Sequence, residues 1–226
     1  MAQTGGDLVV VGAGGFGRET VDAVRAMNAC GASWRLLGYI DENPNLAGKH
    51  IDDVPVLGGI AELSRLPDTR VVVSTGRPDN YVSRPRIVAE LGLPAERYAT
   101  IVHPSAAVSA SSRVGPGSVL LACVVLTAAV RVGSHVAVMP HVTLTHDDTI
   151  DDFATLASGV CLGGNVHIGR AAYLGAGALI RESRSVGSCA LVGMGAVVTT
   201  DVPAREVWAG VPARRLRAAD IPATAA

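Results

Sequence analysis

Aliphatic residues recur at every sixth position from Val102 to Val198. Helices bury residues at intervals of about 3.6 and strands at intervals of two, so neither element alone produces a strict period of six. The seventeen positions of the series are Val102, Val108, Val114, Leu120, Leu126, Val132, Val138, Leu144, Ile150, Leu156, Leu162, Ile168, Leu174, Ile180, Val186, Val192 and Val198. A period of six is typical of a parallel β-helix, in which each short strand directs one aliphatic side chain inward.

A longer period of eighteen residues is superimposed on the first. Gly115, Gly133, Gly169 and Gly187 each follow an aliphatic of the series, and Asp151 takes the equivalent place once. Three hexads are therefore predicted to form one coil of a triangular prism, with glycine at one corner because it accepts a positive φ. The alternative, a β-sandwich of short strands, would show turn signals every 8–12 residues without a fixed register.

Composition limits the classes of partner. The chain has 226 residues and a net charge of −1, and no run of Lys or Arg exceeds two, so we expect neither nucleic acid nor an anionic membrane as a partner. No apolar run reaches the length of a membrane span. The polar first seven residues and four cysteines without a CxxC pattern predict a cytoplasmic protein whose thiols are reduced and mostly buried.

Residues 1–99 lack the period and are predicted to form a separate Rossmann-like unit, followed by the β-helix over residues 100–226. A buried strand runs into Gly12, Gly14 and Gly17, which form a GxGxxG pattern ahead of a predicted helix. At such a place the backbone can approach a phosphate, and the helix N-terminus offers free N–H groups.

Three interpretations of this glycine loop remain open. Binding of NAD would require two mononucleotide halves, and fewer than 100 residues supply one. A nucleotide or nucleotide-sugar fits this length better. Acidic residues at the end of the second strand, Asp41 and Glu42, and Gly76 at the end of the third lie where ligands bind in open α/β sheets. The third interpretation is tight packing of the strand against the helix.

Among the histidines of the predicted prism, His146 is the candidate catalytic residue. It lies two positions after an inward leucine, so it is predicted on the outer surface, and Asp147 and Asp148 follow it. A carboxylate beside an imidazole orients the ring and raises its basicity, which suits a general base. The alternative is an exposed histidine with solvated acidic neighbours.

Metal binding is a competing prediction. His141 and His146 form HxxxxH, as in carbonic anhydrases built on the same prism. The third histidine of those enzymes falls on Ser105 here, and His103 is two residues out of phase. Because a metal requires its ligands in one small volume, no metal site is predicted.

Several segments together resemble the bacterial sugar acyltransferases that include sialic acid O-acetyltransferases and UDP-4-amino-sugar N-acetyltransferases. These segments span residues 12–19 (GAGGFGRE), 38–42 (GYIDE), 55–58 (PVLG), 101–106 (IVHPSA) and 210–214 (GVPAR). The resemblance covers nearly the whole chain. It implies a left-handed β-helix and an acyltransferase that depends on an acyl-coenzyme A, with acetyl-CoA as the expected donor.

The resemblance also implies roles for individual residues. His146 and Asp147 match the catalytic histidine and its acidic neighbour, with Asp in place of the more usual Glu. The acyl-coenzyme A contacts fall on Thr155, Gly164 and Ala176, and Gly164 would donate its N–H to the thioester oxygen. In the amino-sugar members the residue that matches Thr155 is often a second histidine.

The implied acceptor is a sugar, most simply a nucleotide-sugar, and the implied assembly is a homotrimer with its sites between prisms. The acceptor contacts would be Gly14, Gly15, Phe16, Asp41, Glu42 and Gly76, and many members have His where this chain has Phe16. We expect Val136 and Val142 to face outward and support the trimer. A non-catalytic module that binds a nucleotide-sugar and supports a partner enzyme remains the alternative from another functional class.

Overall fold

The computed structural model describes residues 5–221 and begins with an α/β part. Its elements are β1 (Gly5–Val11), α1 (Gly15–Ala29), β2 (Ser33–Ile40), β3 (His50–Ile51), β4 (Val54–Gly58), a 3₁₀ helix (Ile60–Arg65), β5 (Arg70–Val73), α2 (Ser83–Leu91) and a 3₁₀ turn (Ala95–Arg97). The five strands form one sheet in the order β3-β4-β2-β1-β5. All neighbours in this sheet are parallel except β3 and β4. This is the predicted Rossmann-like half.

Residues 101–198 form the predicted left-handed parallel β-helix. Its strands are β6 (Ile101–Val102), β7 (Ala107–Val108), β8 (Arg113–Val114), β9 (Val119–Leu120), β10 (Val125–Leu126), β11 (Arg131–Val132), β12 (Ala137–Val138), β13 (Thr143–Leu144), β14 (Thr149–Ile150), β15 (Thr155–Leu156), β16 (Cys161–Leu162), β17 (His167–Ile168), β18 (Tyr173–Leu174), β19 (Leu179–Ile180), β20 (Ser185–Val186), β21 (Leu191–Val192) and β22 (Val197–Val198). The second residue of every strand is one of the seventeen aliphatics. A hairpin, β23 (Glu206–Ala209) and β24 (Arg214–Ala218), follows the last coil.

Three sheets form the sides of the prism, and their strands are parallel except for the terminal β24, which is antiparallel to β23. The eight-stranded sheet has the order β24-β23-β21-β18-β15-β12-β9-β6, the six-stranded sheet β22-β19-β16-β13-β10-β7 and the five-stranded sheet β20-β17-β14-β11-β8. Paired residues are eighteen apart, as Val125 and Thr143 show. Each coil therefore lies directly over the previous one, which confirms the register expected from the sequence.

The interior is filled by the predicted aliphatics and by the residues two positions before them. Val136 and Val142 are 1% and 0% exposed and belong to the prism core. The expectation that they face outward was wrong, because alternate residues of a strand share one face and these two share it with Val138 and Leu144. In the first coil Val108 is 38% exposed, since no coil lies beneath it.

Glycine follows the inward aliphatics for a reason other than the predicted one. A Cβ on Gly115 would lie 2.6 Å from the backbone of Gly133 in the next coil, and one on Gly187 would lie 2.4 Å from Ala204 N. Neither glycine has a positive φ; close stacking of the coils excludes a side chain there. The left-handed residues lie two positions further on and recur every six: Gly117, Cys123, Ala129, His135, His141, Asp147, Phe153, Gly159, Asn165, Ala171, Gly177, Ser183, Cys189 and Gly195.

The α/β part packs against the eight-stranded sheet of the prism. One hydrophobic cluster combines Val21 and Val24 of α1 with Ile101, Val119 and Leu121 of the first coils. Burial of this shared apolar surface fixes the glycine loop relative to the prism. The domain boundary at residues 99 and 100 stays a prediction.

Two further observations concern the surface. Within residues 5–221, no helix is long and apolar enough to cross a membrane. Of the four cysteines only Cys189 is buried, whereas Cys30 and Cys123 are exposed and Cys161 is intermediate. The expectation that most of them are buried was wrong, because Cys30 lies at the end of α1 and Cys123 at an outer turn of the prism.

Candidate active site

His146 and Asp147 form a hydrogen-bonded pair on an outer corner of the prism, just after β13. His146 Nδ1 lies 2.9 Å from Asp147 Oδ2, and the side chains are 66% and 62% exposed. Because a carboxylate only accepts hydrogen bonds, Nδ1 carries the proton, and in the neutral imidazole Nε2 then carries the lone pair. Asp147 adopts the left-handed conformation (φ 64°), which Asp tolerates better than most residues. The corner therefore presents an oriented imidazole with a basic nitrogen.

Gly164 lies beneath this imidazole, on the next coil. A Cβ at Gly164 would come within 2.3 Å of His146 Nε2, so glycine alone leaves room for the ring. None of the described residues accepts a hydrogen bond from the Gly164 N–H. The basic nitrogen and a free backbone donor are thus brought together within one chain.

Asp148 holds the turn that carries His146. Its side chain is fully buried, and its oxygens accept hydrogen bonds from Thr145 N (2.7 Å) and Val166 N (2.8 Å). Burial raises the pKa of this carboxyl to about 6, against the opposing effect of the two backbone donors. Asp148 therefore ties the turn to the following coil, a role that its place in the sequence, two residues after the candidate base, does not indicate.

The glycines of the GxGxxG loop have two different roles. A Cβ on Gly17 would lie 1.9 Å from Gly12 O, and Gly12 itself has φ 104°, so these two glycines permit close strand–helix packing. Gly14 and Gly15 have nothing within 4 Å of a Cβ position. No side chain among the described residues caps the N-terminus of α1. The packing interpretation therefore accounts for Gly12 and Gly17, whereas Gly14 and Gly15 face open space.

That open space is a cleft of about 280 Å³. Five of the six predicted acceptor residues line it, namely Gly14, Gly15, Phe16, Asp41 and Gly76. Asp41 also braces the loop, because its carboxylate accepts hydrogen bonds from Ala13 N and Asn43 N, both at 2.9 Å. Glu42 does not line this cleft; its carboxylate accepts a hydrogen bond from Ile60 N at 2.6 Å.

A second cavity, of about 150 Å³, lies between the glycine loop and the prism. Phe16 and Gly76 contribute from the loop side, and Thr155 and Ala176 contribute from the prism. The predicted coenzyme contacts Thr155 and Ala176 are therefore neighbours of the predicted acceptor site. These roles remain predictions.

The predicted site residues thus fall on two separate corners of the chain. Thr155 lies on the eight-stranded sheet, and Ala176 lies where the chain leaves that sheet for the six-stranded one. His146 and Gly164 lie at the next corner, between the six- and five-stranded sheets, and His146 does not line the Thr155 cavity. A single chain therefore does not bring the candidate base to the candidate substrate cavity.

The competing metal ligands are not assembled. Within residues 5–221, no three His, Cys, Asp or Glu side chains are placed to hold a metal ion. Ser105, at the position of the third histidine, instead lies 2.8 Å from His103 Nδ1 through its hydroxyl.

The family model of the PglD N-terminal domain matches residues 7–91. UDP-N-acetylbacillosamine N-acetyltransferase of Bacillus subtilis (strain 168) is 30% identical over 119 residues, which cover 51% of each chain. The match therefore spans about half the length of this curated relative.

Several solved structures are similar over nearly the whole chain. The acetyltransferase domain of PglB from Neisseria gonorrhoeae FA1090, in complex with acetyl coenzyme A, is 31% identical with a TM-score of 0.80, covering 93% of this chain and 98% of that one. This chain belongs to the bacterial sugar N-acetyltransferases. PerB from Caulobacter crescentus, in complex with CoA and GDP-perosamine, is 28% identical with a TM-score of 0.81 and covers 93% and 97% of the two chains.

Arg84 also lines the cavity between the glycine loop and the prism, and it was not identified from the sequence. It is 1% exposed, and burial lowers the pKa of its guanidinium to about 10, so it stays charged at neutral pH. Its hydrogen-bond acceptors are Thr75 O, His135 O, Phe153 O, Ala154 O and Thr155 Oγ1. A single arginine in a helix gives no sequence signal for such a position, since arginine is mostly exposed.

His135 occupies the same junction and is also buried. Its ring stacks on Phe153 at 5.1 Å and meets the edge of Tyr98 at 4.5 Å. Its Nδ1 has no hydrogen-bond partner among the residues that the structure describes. Burial, and secondarily the charge of Arg84, lowers the pKa of this imidazole to about 4. His135 is therefore a neutral packing residue, not a candidate acid or base.

Proposed function

We propose that this protein transfers an acetyl group from acetyl-coenzyme A to the amino group of a nucleotide-linked sugar. The observation that carries the proposal is the His146–Asp147 pair, whose basic Nε2 lies over Gly164 beside a free N–H group. The similarity to PglB and PerB, whose structures contain acetyl coenzyme A or CoA with GDP-perosamine, favours this donor and an amine acceptor.

The reaction needs one base and no covalent enzyme intermediate, since the thioester is already activated. The amine lone pair attacks the thioester carbon, and the carbonyl π electrons move onto oxygen. His146 Nε2 takes a proton from the attacking nitrogen while Asp147 stabilises the resulting imidazolium. The oxyanion then collapses, the carbon–sulfur bond breaks, and His146 returns its proton to the leaving thiolate. The products are the amide and coenzyme A.

Gly164 is proposed to donate its N–H to the oxyanion. A preorganised backbone donor near the reacting carbon typically contributes about 10²–10³-fold to the rate. Thr155 and Ala176 are the proposed contacts of the coenzyme. The N–H of Gly164 lies close to His146 Nε2, which supports the roles of both residues, because the base and the oxyanion donor must reach the same tetrahedral centre.

The glycine-loop cleft is the proposed acceptor site. The uncapped N-terminus of α1 favours an anion such as the diphosphate of a nucleotide-sugar. Gly14, Gly15, Phe16, Asp41 and Gly76 line this cleft. Glu42, which bonds to Ile60 N, is retained as a peripheral contact of the nucleoside.

The proposed assembly is a homotrimer in which His146 of one subunit serves the cavity of its neighbour. The separation of His146 from the Thr155 cavity within one chain supports this. So does the outer face of the six-stranded sheet, which carries Val125, Cys161, Leu179 and Val197, with Leu179 45% exposed. The five-stranded sheet instead presents polar side chains. An apolar outer face on one sheet suits contact with a second copy.

The test is an assay of free thiol release from acetyl-CoA with a panel of UDP-, GDP- and dTDP-linked 4-amino sugars and their hydroxyl counterparts. We expect release with at least one amino sugar and a product heavier by one acetyl group. Thiol release only with hydroxyl sugars would contradict the amine assignment. Nucleotide-sugar binding without any thiol release would favour the non-catalytic module.

A further inference from the structure

Arg84 carries a buried positive charge that no carboxylate neutralises among residues 5–221. Its acceptors are four backbone carbonyls and the hydroxyl of Thr155, and no described ion pair includes it. A charge in the interior is costly unless it is paired or serves a ligand. Its position between the glycine loop and the prism therefore calls for an explanation beyond packing.

The contact with Thr155 fixes the direction of one hydroxyl group. Arg84 Nη2 donates to Thr155 Oγ1 at 2.7 Å, so that oxygen acts as an acceptor towards the guanidinium. Arginine has no acceptor of its own, so the single hydroxyl hydrogen of Thr155 must point elsewhere. No described residue accepts it, and Thr155 lines the cavity that Phe16 and Ala176 also line. The hydroxyl is thus held as a donor towards the cavity.

We propose that Arg84 is a positioning residue that acts through Thr155, whose hydroxyl donates to the thioester oxygen as it gains negative charge. This inference rests on the proposed acetyl transfer and adds a second donor to the Gly164 N–H. A hydrogen bond from a donor that is itself polarised by a cation is strengthened in a low-dielectric site. The thioester oxygen is the atom of the reacting centre that becomes an anion, so the benefit is greatest in the transition state.

Gly76 supports the same arrangement from the loop side. Its φ is 129°, and a Cβ there would lie 2.8 Å from Arg84 Nη1. Arg84 Nη1 in turn donates to Thr75 O at 2.7 Å. The guanidinium of Arg84 is therefore held between the end of β5 and Thr155. These contacts fix the orientation of the N–H groups that in turn orient the Thr155 hydroxyl.

The experiment compares Thr155→Val, which removes the hydroxyl at nearly constant volume, with Thr155→Ser, which retains it. Steady-state kinetics use acetyl-CoA and the amino sugar that gives turnover with the wild type. We expect Thr155→Val to lower kcat about 100-fold with KM for both substrates changed less than about threefold. Thr155→Ser should keep kcat within about fivefold of the wild type. Thr149→Val, an outward threonine on β14, is the matched control and should leave kcat unchanged.

A double-mutant cycle then tests the role of Arg84. Arg84→Lys keeps the positive charge but loses the branched guanidinium group. We expect it to lower kcat about tenfold when Thr155 is present and to have no further effect on kcat in the Thr155→Val background. If Arg84→Lys does not fold, the comparison of Thr155→Val with Thr155→Ser decides alone whether the hydroxyl acts in the transition state. Unchanged kcat in Thr155→Val, or a raised KM at constant kcat, would overturn the proposal. Absence of turnover by the wild type with every acceptor would overturn the proposed function, and this inference with it.

Discussion

His146 Nε2 lies directly over Gly164, so closely that a Cβ at residue 164 would come within 2.3 Å of it. The two residues are eighteen positions apart, one full coil, and the strict stacking of coils puts them at the same corner. This relationship joins a base to a backbone donor without any side chain between them. It also means that Gly164 can be tested by adding a single methyl group.

Gly164→Ala should displace the imidazole and leave the fold intact. The atoms that a Cβ would meet are those of an exposed ring, which can rotate away, and the φ of Gly164 is not positive. We expect kcat to fall at least tenfold with a melting temperature within a few degrees of the wild type. In a His146→Ala background the same substitution should have no further effect on kcat. A kcat equal to that of the wild type would mean that the ring position does not matter.

Two glycine substitutions separate packing from ligand binding in the α/β part. Gly17→Ala places a Cβ 1.9 Å from Gly12 O and should destabilise the fold by several kcal/mol, as overpacking does. Gly14→Ala meets nothing within 4 Å and should fold normally but raise KM for the nucleotide-sugar. Thermal melting and acceptor kinetics measure the two effects. An unchanged acceptor KM in Gly14→Ala would remove the loop from the acceptor site.

Leu179→Arg should convert the proposed trimer into monomers. The side chain lies on the outer face of the six-stranded sheet and is 45% exposed in the single chain. Burying an unpaired arginine in a subunit interface is strongly unfavourable. We expect a monomer by light scattering and loss of activity, since the site is proposed to need two subunits. Leu216→Arg, at a 63% exposed leucine on β24, is the control. A wild-type protein that is monomeric at micromolar concentration would contradict the assembly.

His135 should make the protein sensitive to acid. Its folded-state pKa of about 4 lies below the ordinary value of 6.5, so its contribution to stability is present above pH 6.5 and is lost as pH falls towards 4. The difference corresponds to about 3 kcal/mol. His135→Phe should remove this loss, measured as the difference in urea unfolding between pH 7 and pH 4.5. The raised pKa of Asp148 changes the free energy of unfolding with pH in the opposite direction. This contribution is the same in the wild type and in His135→Phe, so it cancels when the two proteins are compared. Equal acid sensitivity of the two proteins would contradict the assignment.

The sequence predicted the β-helix in detail because its core repeats. Every inward aliphatic from Val102 to Val198 ends a strand, since a coil of eighteen residues leaves no freedom in register. The role of Gly115 was predicted wrongly, because a glycine needed for positive φ and one needed for close stacking look alike in sequence. Val136 was placed outward because the period of six hides the alternation within each strand.

The candidate site was less predictable than the fold. His146 and its acidic neighbour are adjacent in sequence, so their pairing could be expected from local geometry. Arg84 could not, because its acceptors Thr75 and Thr155 come from separate parts of the chain and a charged residue is not expected in the interior. The role of Asp148 could not be predicted from the sequence either, because its two backbone donors lie on different coils.

His146 is the proposed general base of acetyl transfer, and a second histidine supplies the matched control. His167 Nε2 lies 3.0 Å from Asp151 Oδ2 on the outer face of the prism, so it too is an exposed histidine paired with an aspartate. The measurement is kcat for acetyl transfer from acetyl-CoA to the nucleotide-linked amino sugar, for His146→Asn and His167→Asn. We predict that His146→Asn lowers kcat about 10²–10⁴-fold, while His167→Asn keeps the wild-type value. Wild-type turnover by His146→Asn would contradict the account.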